Sequence, residues 1–378
     1  MTEPFLPLAK HEIRPADIEA VCDVLRSPWL ALGPATEAFE RALADYVGVR
    51  HGIAVSSGTS ALHLLIRALG IGPGDEVVTT PFSFIASTSC ILFERATPVF
   101  VDIDPTTLCI DPKRLDEAVT PRTKAILAVD VFGHPADWDR LESIAGEANV
   151  ALIEDSAEAL GSEWSGKRCG SFGRAGIFGF YPNKQITTGE GGMIVTDDDD
   201  LAALCRSMTN QGRDDRGEWL SHVRLGYNYR IDEMSSALGA SQLRRLEAIV
   251  ERRARIAAAY DSALAALPGV VAPAVQPNVR MSWFVYVVRL AERFTRADRD
   301  AVLSALQAEG IACRAYFSPI HLQPYIRETL GTRPGQFPVT EGVGDRAVAL
   351  PFFPEMSEDD VRRVVDTLDR AVGTRRSG

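Results

Sequence analysis

Lysine is scarce in this 378-residue chain: of 40 basic residues only five are lysines, at 10, 113, 124, 167 and 184, and the other 35 are arginines. Chemistry that needs a lysine therefore has few places to happen. Cysteine is equally thin, and the six residues at 22, 90, 109, 169, 205 and 313 form no Cys-x-x-Cys pair. That pattern excludes a zinc ribbon or a disulfide framework and predicts free thiols in a reducing cytoplasm. The histidines at 11, 51, 63, 134, 222 and 321 never recur at metal-ligand spacing, so no metal site is expected. No apolar run approaches the ~18 residues that would cross a bilayer. The start, Met1-Thr2-Glu3-Pro4-Phe5, lacks the basic and then apolar pattern of a signal peptide. Excess positive charge is missing too. The 51 acidic residues outnumber the basic ones and give a formal net charge of −11, which argues against a nucleic-acid partner held by phosphate neutralisation. A soluble cytoplasmic protein without a membrane or nucleic-acid partner is expected.

What is present is a globular composition, 46% hydrophobic and 24% charged, with enough chain for one large or two smaller cores. Short apolar runs at Ile53–Val55, Glu76–Thr79, Pro98–Val101, Ala125–Val129, Val150–Ile153, Gly176–Phe180 and Gly192–Thr196 read as buried strands. Amphipathic helical patterns lie between them, as at Pro15–Leu25, Ser60–Leu69 and Trp138–Ala148. Buried strands alternating with helices mean parallel β–α–β units and an α/β layer fold. A long helical stretch, roughly 231–267, precedes a change of pattern: a strand at Phe284–Leu290, a helix at Arg296–Glu309, a strand at Ala312–Phe317 and a closing helix at Ser357–Val372. This divides the chain into a large α/β domain with an N-terminal arm, residues 1–250, and a smaller α/β domain, residues 251–378. The run Asp197–Asp200 could bind a cation, although capping the helix that begins at Leu201 is the simpler reading.

Three segments carry chemistry. Ser56-Ser57-Gly58-Thr59 joins a strand to a helix, where free N–H groups and the helix dipole suit an anion; a plain turn would look the same. Ile153-Glu154-Asp155-Ser156-Ala157-Glu158 puts carboxylates at the carboxyl end of an apolar strand, the edge at which open α/β sheets bind ligands. A buried carboxylate there needs a partner such as a cationic ring nitrogen, unless it caps a helix. The third segment runs from Phe178 through Tyr181-Pro182-Asn183-Lys184 to Gly189-Glu190-Gly191-Gly192. Lys10, Lys113, Lys124 and Lys167 all sit in polar surroundings, whereas Lys184 stands between a strand and a glycine-rich turn. A lysine among apolar groups tends toward the nucleophilic amine.

Together these segments resemble the DegT/DnrJ/EryC1/StrS family of sugar aminotransferases, which depend on pyridoxal phosphate and share fold type I. The resemblance runs from Pro7 almost to the C-terminus. It is carried by Ser57-Gly58-Thr59-Ser60-Ala61-Leu62-His63-Leu64, Gly72-Pro73-Gly74-Asp75-Glu76-Val77, Pro98-Val99-Phe100-Val101-Asp102, Glu154-Asp155, Lys184 with Thr188-Gly189-Glu190-Gly191-Gly192, Gly226-Tyr227-Asn228-Tyr229-Arg230 and Gln242-Leu243. It implies a large three-layer αβα domain with a mostly parallel sheet, followed by a smaller C-terminal α/β domain. It also implies that Lys184 holds the cofactor covalently and that Asp155 keeps the pyridine nitrogen protonated. Phe84 matches the aromatic that stacks on the ring. Ser57, Gly58 and Thr59 would hold the phosphate, with Asn228 reaching it from the neighbouring subunit of a homodimer. Glu158 stands beside the phenolic oxygen. Two departures are visible: Gly179 where the family commonly has serine, and Glu158 where it often has glutamine.

The resemblance further implies transfer of an amino group from L-glutamate to a nucleotide-linked keto sugar, and the perosamine-synthase-like branch points to a 4-keto-6-deoxyhexose. Arg230, Arg314 and Arg213 are candidates for the substrate's phosphates, each otherwise a surface ion pair, and His321 for a place near the sugar. A 3-keto sugar, an aminocyclitol ketone and the aromatising aminohydroxybenzoate synthases remain open. The dehydratase branch replaces the lysine with histidine, which Lys184 counts against. The intact Lys184–Asp155 pair makes a cofactor-binding regulator without turnover the weaker alternative.

Overall fold

The computed structural model describes residues 4–214 and 221–373. Runs of four to seven mostly apolar residues, too short for helices, assemble into a seven-stranded sheet. Across the sheet the order is His51–Val55, Gly192–Thr196, Ala175–Gly179, Ala151–Asp155, Thr123–Val129, Glu76–Thr79 and Thr97–Phe100. Gly192–Thr196 is antiparallel to both its neighbours, and all other strands run one way. The carboxyl ends of those parallel strands therefore lie along one edge. Helices cover the sheet, and Gly58–Ala68 is sunk so deeply that Ser60 through Ile66 are all buried. Each fully buried leucine or isoleucine of this core contributes about 1.5–3 kcal/mol relative to exposure.

A second core forms around a three-stranded antiparallel sheet, in the order Val270–Val271, Tyr286–Leu290, Ala347–Leu350, with the helices Arg296–Ala308 and Glu358–Gly373 packed on it. Leu6 of the N-terminal arm joins this core. Residue 250, where the sequence suggests dividing the chain, lies inside the helix Leu246–Leu264. Ile249 and Val250 of that helix pack with the first body of the chain, while Ile256, Tyr260 and Leu264 pack with the second.

Two local expectations change. The helical stretch at 231–267 is two helices, Glu233–Leu243 and Leu246–Leu264. At the break Arg245 leaves helical geometry, and its guanidinium donates to Asp17 at 2.6 Å and to the Glu12 carbonyl at 2.8 Å. Ala312–Phe317 forms a single bridge, Arg314 to Ala349, rather than a strand. Tyr316 and Phe317 turn away to stack on Phe132, with Phe317 at 5.0 Å between ring centroids. The acidic run at 197–200 is a helix start: Asp198 accepts from the Leu201 N–H at 2.9 Å, and Arg50 binds Asp199.

Candidate active site

Asp155 ends the strand Ala151–Asp155, and the alternation of a strand sends it and Glu154 to opposite faces. Glu154 is completely enclosed. It accepts from the Gly170 and Phe172 N–H groups at 2.6 and 2.9 Å, and the Ser156 hydroxyl lies 2.7 Å away. The same hydroxyl lies 2.6 Å from Asp130, which also takes the Ala136 N–H and the Trp138 indole N–H. The Ser156 hydroxyl thus sits between the two carboxyls, and its one hydrogen serves only one of them. Burial pushes the affinity of both carboxyls for protons up. Cys169 lies close enough to complete a metal-sized cluster with them, but the carboxylate oxygens already accept protein donors.

Asp155 has fewer partners. Its two oxygens accept from the Ala157 N–H at 3.2 Å and the Ser87 hydroxyl at 3.1 Å. Burial pushes its pKa to about 6; the Ala157 N–H draws it back down, the nearby Glu158 carboxylate adds to the rise, and Ser87 and Lys184 again oppose it. The Ser87 hydroxyl also lies 3.1 Å from the Phe84 carbonyl, on the loop that carries Phe84, and its one hydrogen serves either acceptor. The Phe84 ring is 62% exposed, an unusual state for a phenylalanine next to a buried carboxylate.

Lys184 follows the strand Ala175–Gly179 in a turn closed by its N–H to the Tyr181 carbonyl at 2.9 Å. Its ammonium is 3.4 Å from Glu158 Oε1 and 3.9 Å from the centroid of the Phe284 ring. The second oxygen of Glu158 accepts the Phe132 N–H at 2.9 Å. The other four lysines are exposed. The structure thus brings Lys184, Glu158 and Asp155 to one strand edge.

The anion cradle adjoins them. Ser57 caps the helix Gly58–Ala68, its hydroxyl accepting the Ser60 N–H at 3.0 Å. The first N–H groups of a helix, here at Gly58 and Thr59, have no partner within it. Glycine is required at 192 because a Cβ there would come within 2.5 Å of Ser57 backbone. Gly179 is different: a Cβ would meet nothing nearer than Ala157 at 3.6 Å, so the site has room for a side chain.

The remaining candidates are more dispersed. Asn228 is exposed and bridges Asn210 in extended backbone, and Arg230 donates to the Asn210 side chain at 2.9 Å. The Tyr229 carbonyl takes the Ser56 N–H at 2.7 Å, joining this segment to the cradle. Arg314 is exposed and donates to the Cys313 carbonyl. Arg213 donates to the Gln211 side chain at 3.5 Å. His321 is fully buried: Nε2 lies 3.0 Å from Glu341, Phe337 packs edge-on, and burial lowers its proton affinity. Sequence reasoning passed over Ser87, Phe132, Phe284 and Asn183. The first three act through a hydroxyl, a backbone N–H and a ring brought from distant segments, and nothing local marks them. Asn183 adjoins Lys184, and its buried Oδ1 has no hydrogen-bond partner among the described residues.

The DegT/DnrJ/EryC1/StrS aminotransferase family model matches residues 11–369. GDP-perosamine synthase of Caulobacter vibrioides is 39% identical over 372 residues, covering 98% of this chain and 99% of that protein. Spore coat polysaccharide biosynthesis protein SpsC of Bacillus subtilis is 37% identical over 374 residues, 96% of each chain. Among solved structures, S. venezuelae DesV superposes with a TM-score of 0.92 at 35% identity, covering 97% of this chain and 98% of DesV. The chain belongs to the DegT/DnrJ/EryC1/StrS aminotransferase family and is a pyridoxal-phosphate-dependent transaminase of the sugar aminotransferase type. Among the described residues no helix is long and apolar enough to cross a membrane. The site fits that cofactor: a buried, under-donated carboxylate suits a ring N–H⁺, a helix N-terminus suits a phosphate, and the mostly buried Lys184 lies against Glu158 near that carboxylate.

Proposed function

We propose that this enzyme moves the amino group of L-glutamate to the ketone of a nucleotide-linked 4-keto-6-deoxyhexose, as a perosamine-synthase-like member of its family. The observation that carries the reading is the Lys184–Glu158–Asp155 cluster at the strand edge, in a chain 39% identical to GDP-perosamine synthase along its whole length. Bound pyridoxal phosphate supplies an electron sink for the carbanion left when the amino-bearing carbon loses its proton. In this reading Lys184 holds the cofactor and, once displaced by the incoming amine, carries that proton as general base and acid. Asp155 would pair as a carboxylate with the ring N–H⁺, Phe84 would stack on the ring, and Ser57, Gly58 and Thr59 would hold the phosphate. Glu158, fixed by the Phe132 N–H, orients the lysine and borders the phenolic oxygen.

The reading includes a homodimer in which Asn228 completes the neighbour's phosphate site. Its exposure supports this, and Trp29, Leu30, Leu32, Val223 and Leu225 are exposed apolar side chains that a partner subunit would cover. Arg230 and Arg314 are assigned to the substrate's phosphates. His321, its ring enclosed by Glu341 and Phe337, is left out of the sugar site. The test is mass spectrometry of products formed with glutamate and a panel of nucleotide-linked keto sugars. Conversion of the 4-keto-6-deoxyhexose to the amino sugar is expected. Preference for a 3-keto sugar or an aminocyclitol ketone overturns the substrate, and a pyridoxal-phosphate-loaded protein that aminates nothing overturns the activity.

A further inference from the structure

A second group of buried polar residues lies behind the cradle, on the far side of the helix Gly58–Ala68. His63 sits one turn beyond Thr59 on the same helix and is 5% exposed. Its Nε2 is 2.8 Å from Glu94 Oε1, and its Nδ1 is 3.0 Å from the Tyr229 hydroxyl. A carboxylate can only accept, so Nε2–H donates to Glu94; in the neutral ring Nδ1 is left to accept the Tyr229 hydroxyl hydrogen. Glu94 is itself held, by Arg67 at 2.7 Å and by the Tyr227 hydroxyl at 3.3 Å. The rings of Tyr227 and Tyr229 stack at 4.8 Å, 10° from parallel, and His63 packs on Tyr227 at the same separation.

In an extended segment, residues two apart share a face. Tyr227 and Tyr229 therefore face the helix while Asn228 and Arg230 face away from it. The segment is held along its backbone as well: Tyr227 N–H to Met208, Tyr229 N–H to Thr209, and the Ser56 N–H to the Tyr229 carbonyl. The His63–Tyr229 bond thus ties the middle of the helix to the extended segment that touches the start of its cradle.

We propose that His63, held by Glu94, is a positioning residue for the cofactor's phosphate: it pins the 226–230 segment to the helix, setting both the Ser56–Thr59 loop and the outward projection of Asn228. The proposal rests on the reading above that this loop and Asn228 grip the phosphate. A positioning role of this kind acts on one part of the ligand only. It should be felt by pyridoxal phosphate and not by pyridoxal, which has the ring and aldehyde but no phosphate.

The experiment is equilibrium binding of both compounds to enzyme stripped of cofactor, followed by absorbance of the bound ligand. His63→Leu is expected to weaken pyridoxal phosphate binding by about tenfold and leave pyridoxal binding unchanged. Tyr229→Phe, which removes a single hydroxyl, should show the same selectivity with a smaller loss. His63→Gln should recover part of the loss by donating to Glu94 again. No loss in the leucine and phenylalanine variants, or equal loss for both ligands, overturns the proposal. Thr59→Glu, which puts a carboxylate at the cradle, and Asn228→Ala separate the two levels. If they leave pyridoxal phosphate binding intact, the phosphate reading itself fails; if they weaken it while His63→Leu does not, only the role of His63 fails.

Discussion

Glu154 and Asp155 are adjacent in the chain, equally enclosed, and opposite in circumstance. Glu154 faces the loop at 170–172, with two N–H groups and a serine hydroxyl around it. Asp155 faces the lysine with one N–H and one hydroxyl. Burial raises both. The first is compensated within the fold and behaves as a joint between loops. The second is left short of donors, as the proposed pairing with a ring N–H⁺ requires. Enclosure alone therefore says little about function; the donor count separates a structural carboxylate from one kept for a ligand.

The sharpest way to test that contrast is to damage each face of the strand and see which property suffers. Lys184→Ala should lose at least about a thousandfold in turnover, since Lys10, which lines the same small cavity, is exposed and paired with Glu355, while thermal unfolding of the cofactor-free protein moves little. Glu154→Ala should do the reverse. It strands the Gly170 and Phe172 N–H groups, costing about 4 kcal/mol in denaturant unfolding. An active, fully stable Glu154→Ala would erase the distinction.

Asp155→Asn should keep the fold and bind cofactor, yet lose on the order of a hundredfold in kcat because a neutral amide does not hold the ring nitrogen protonated. Normal turnover would remove Asp155 from the electron-sink role. The same variant tests the shortage of donors by pH. With a folded pKa of about 6 against ~3.9 for a free aspartate, the unfolded state ionises first as pH rises. Cofactor-free wild type should therefore lose stability from pH 4 upward, by an amount on the order of 3 kcal/mol from this group once pH exceeds 6–7. Asp155→Asn should lack that loss and be the more stable protein at pH 8 but not at pH 4. Thermal unfolding at both values measures it, and a constant gap between the two proteins contradicts the assignment. The smallest effect expected is at Gly179. Gly179→Ser fits without a clash and should tighten pyridoxal phosphate binding about threefold by adding one hydroxyl to the cradle, read by equilibrium titration.

Much of this site was legible in one dimension because its residues are clustered by strand ends. The loop at 56–59, the carboxylates at 154–158 and the lysine at 184 each follow an apolar run, and a parallel sheet gathers such termini at one edge. Lys184 was conspicuous through the scarcity of lysine itself. The contribution of Phe284 and of the Phe132 N–H was not legible: each comes from a remote segment, and a backbone donor leaves no mark on residue identity. The two helices within 231–267 were hidden for a related reason. The break at Arg245 is fixed by Asp17 and Glu12, more than two hundred residues away.

The sequence by itself determined the α/β class, the family and the short list of reactive residues, because strand and helix periods, and the ordered motifs around them, are local properties of the chain. Tertiary structure alone decided which of two neighbouring buried carboxylates was left short of hydrogen bonds, that a fully buried histidine at 321 faces Glu341, and that another at 63 ties the cradle helix to the 226–230 segment. Those distinctions depend on which donors arrive from elsewhere in the fold, and hydrogen bonding at 3 Å is specified only when distant segments have packed.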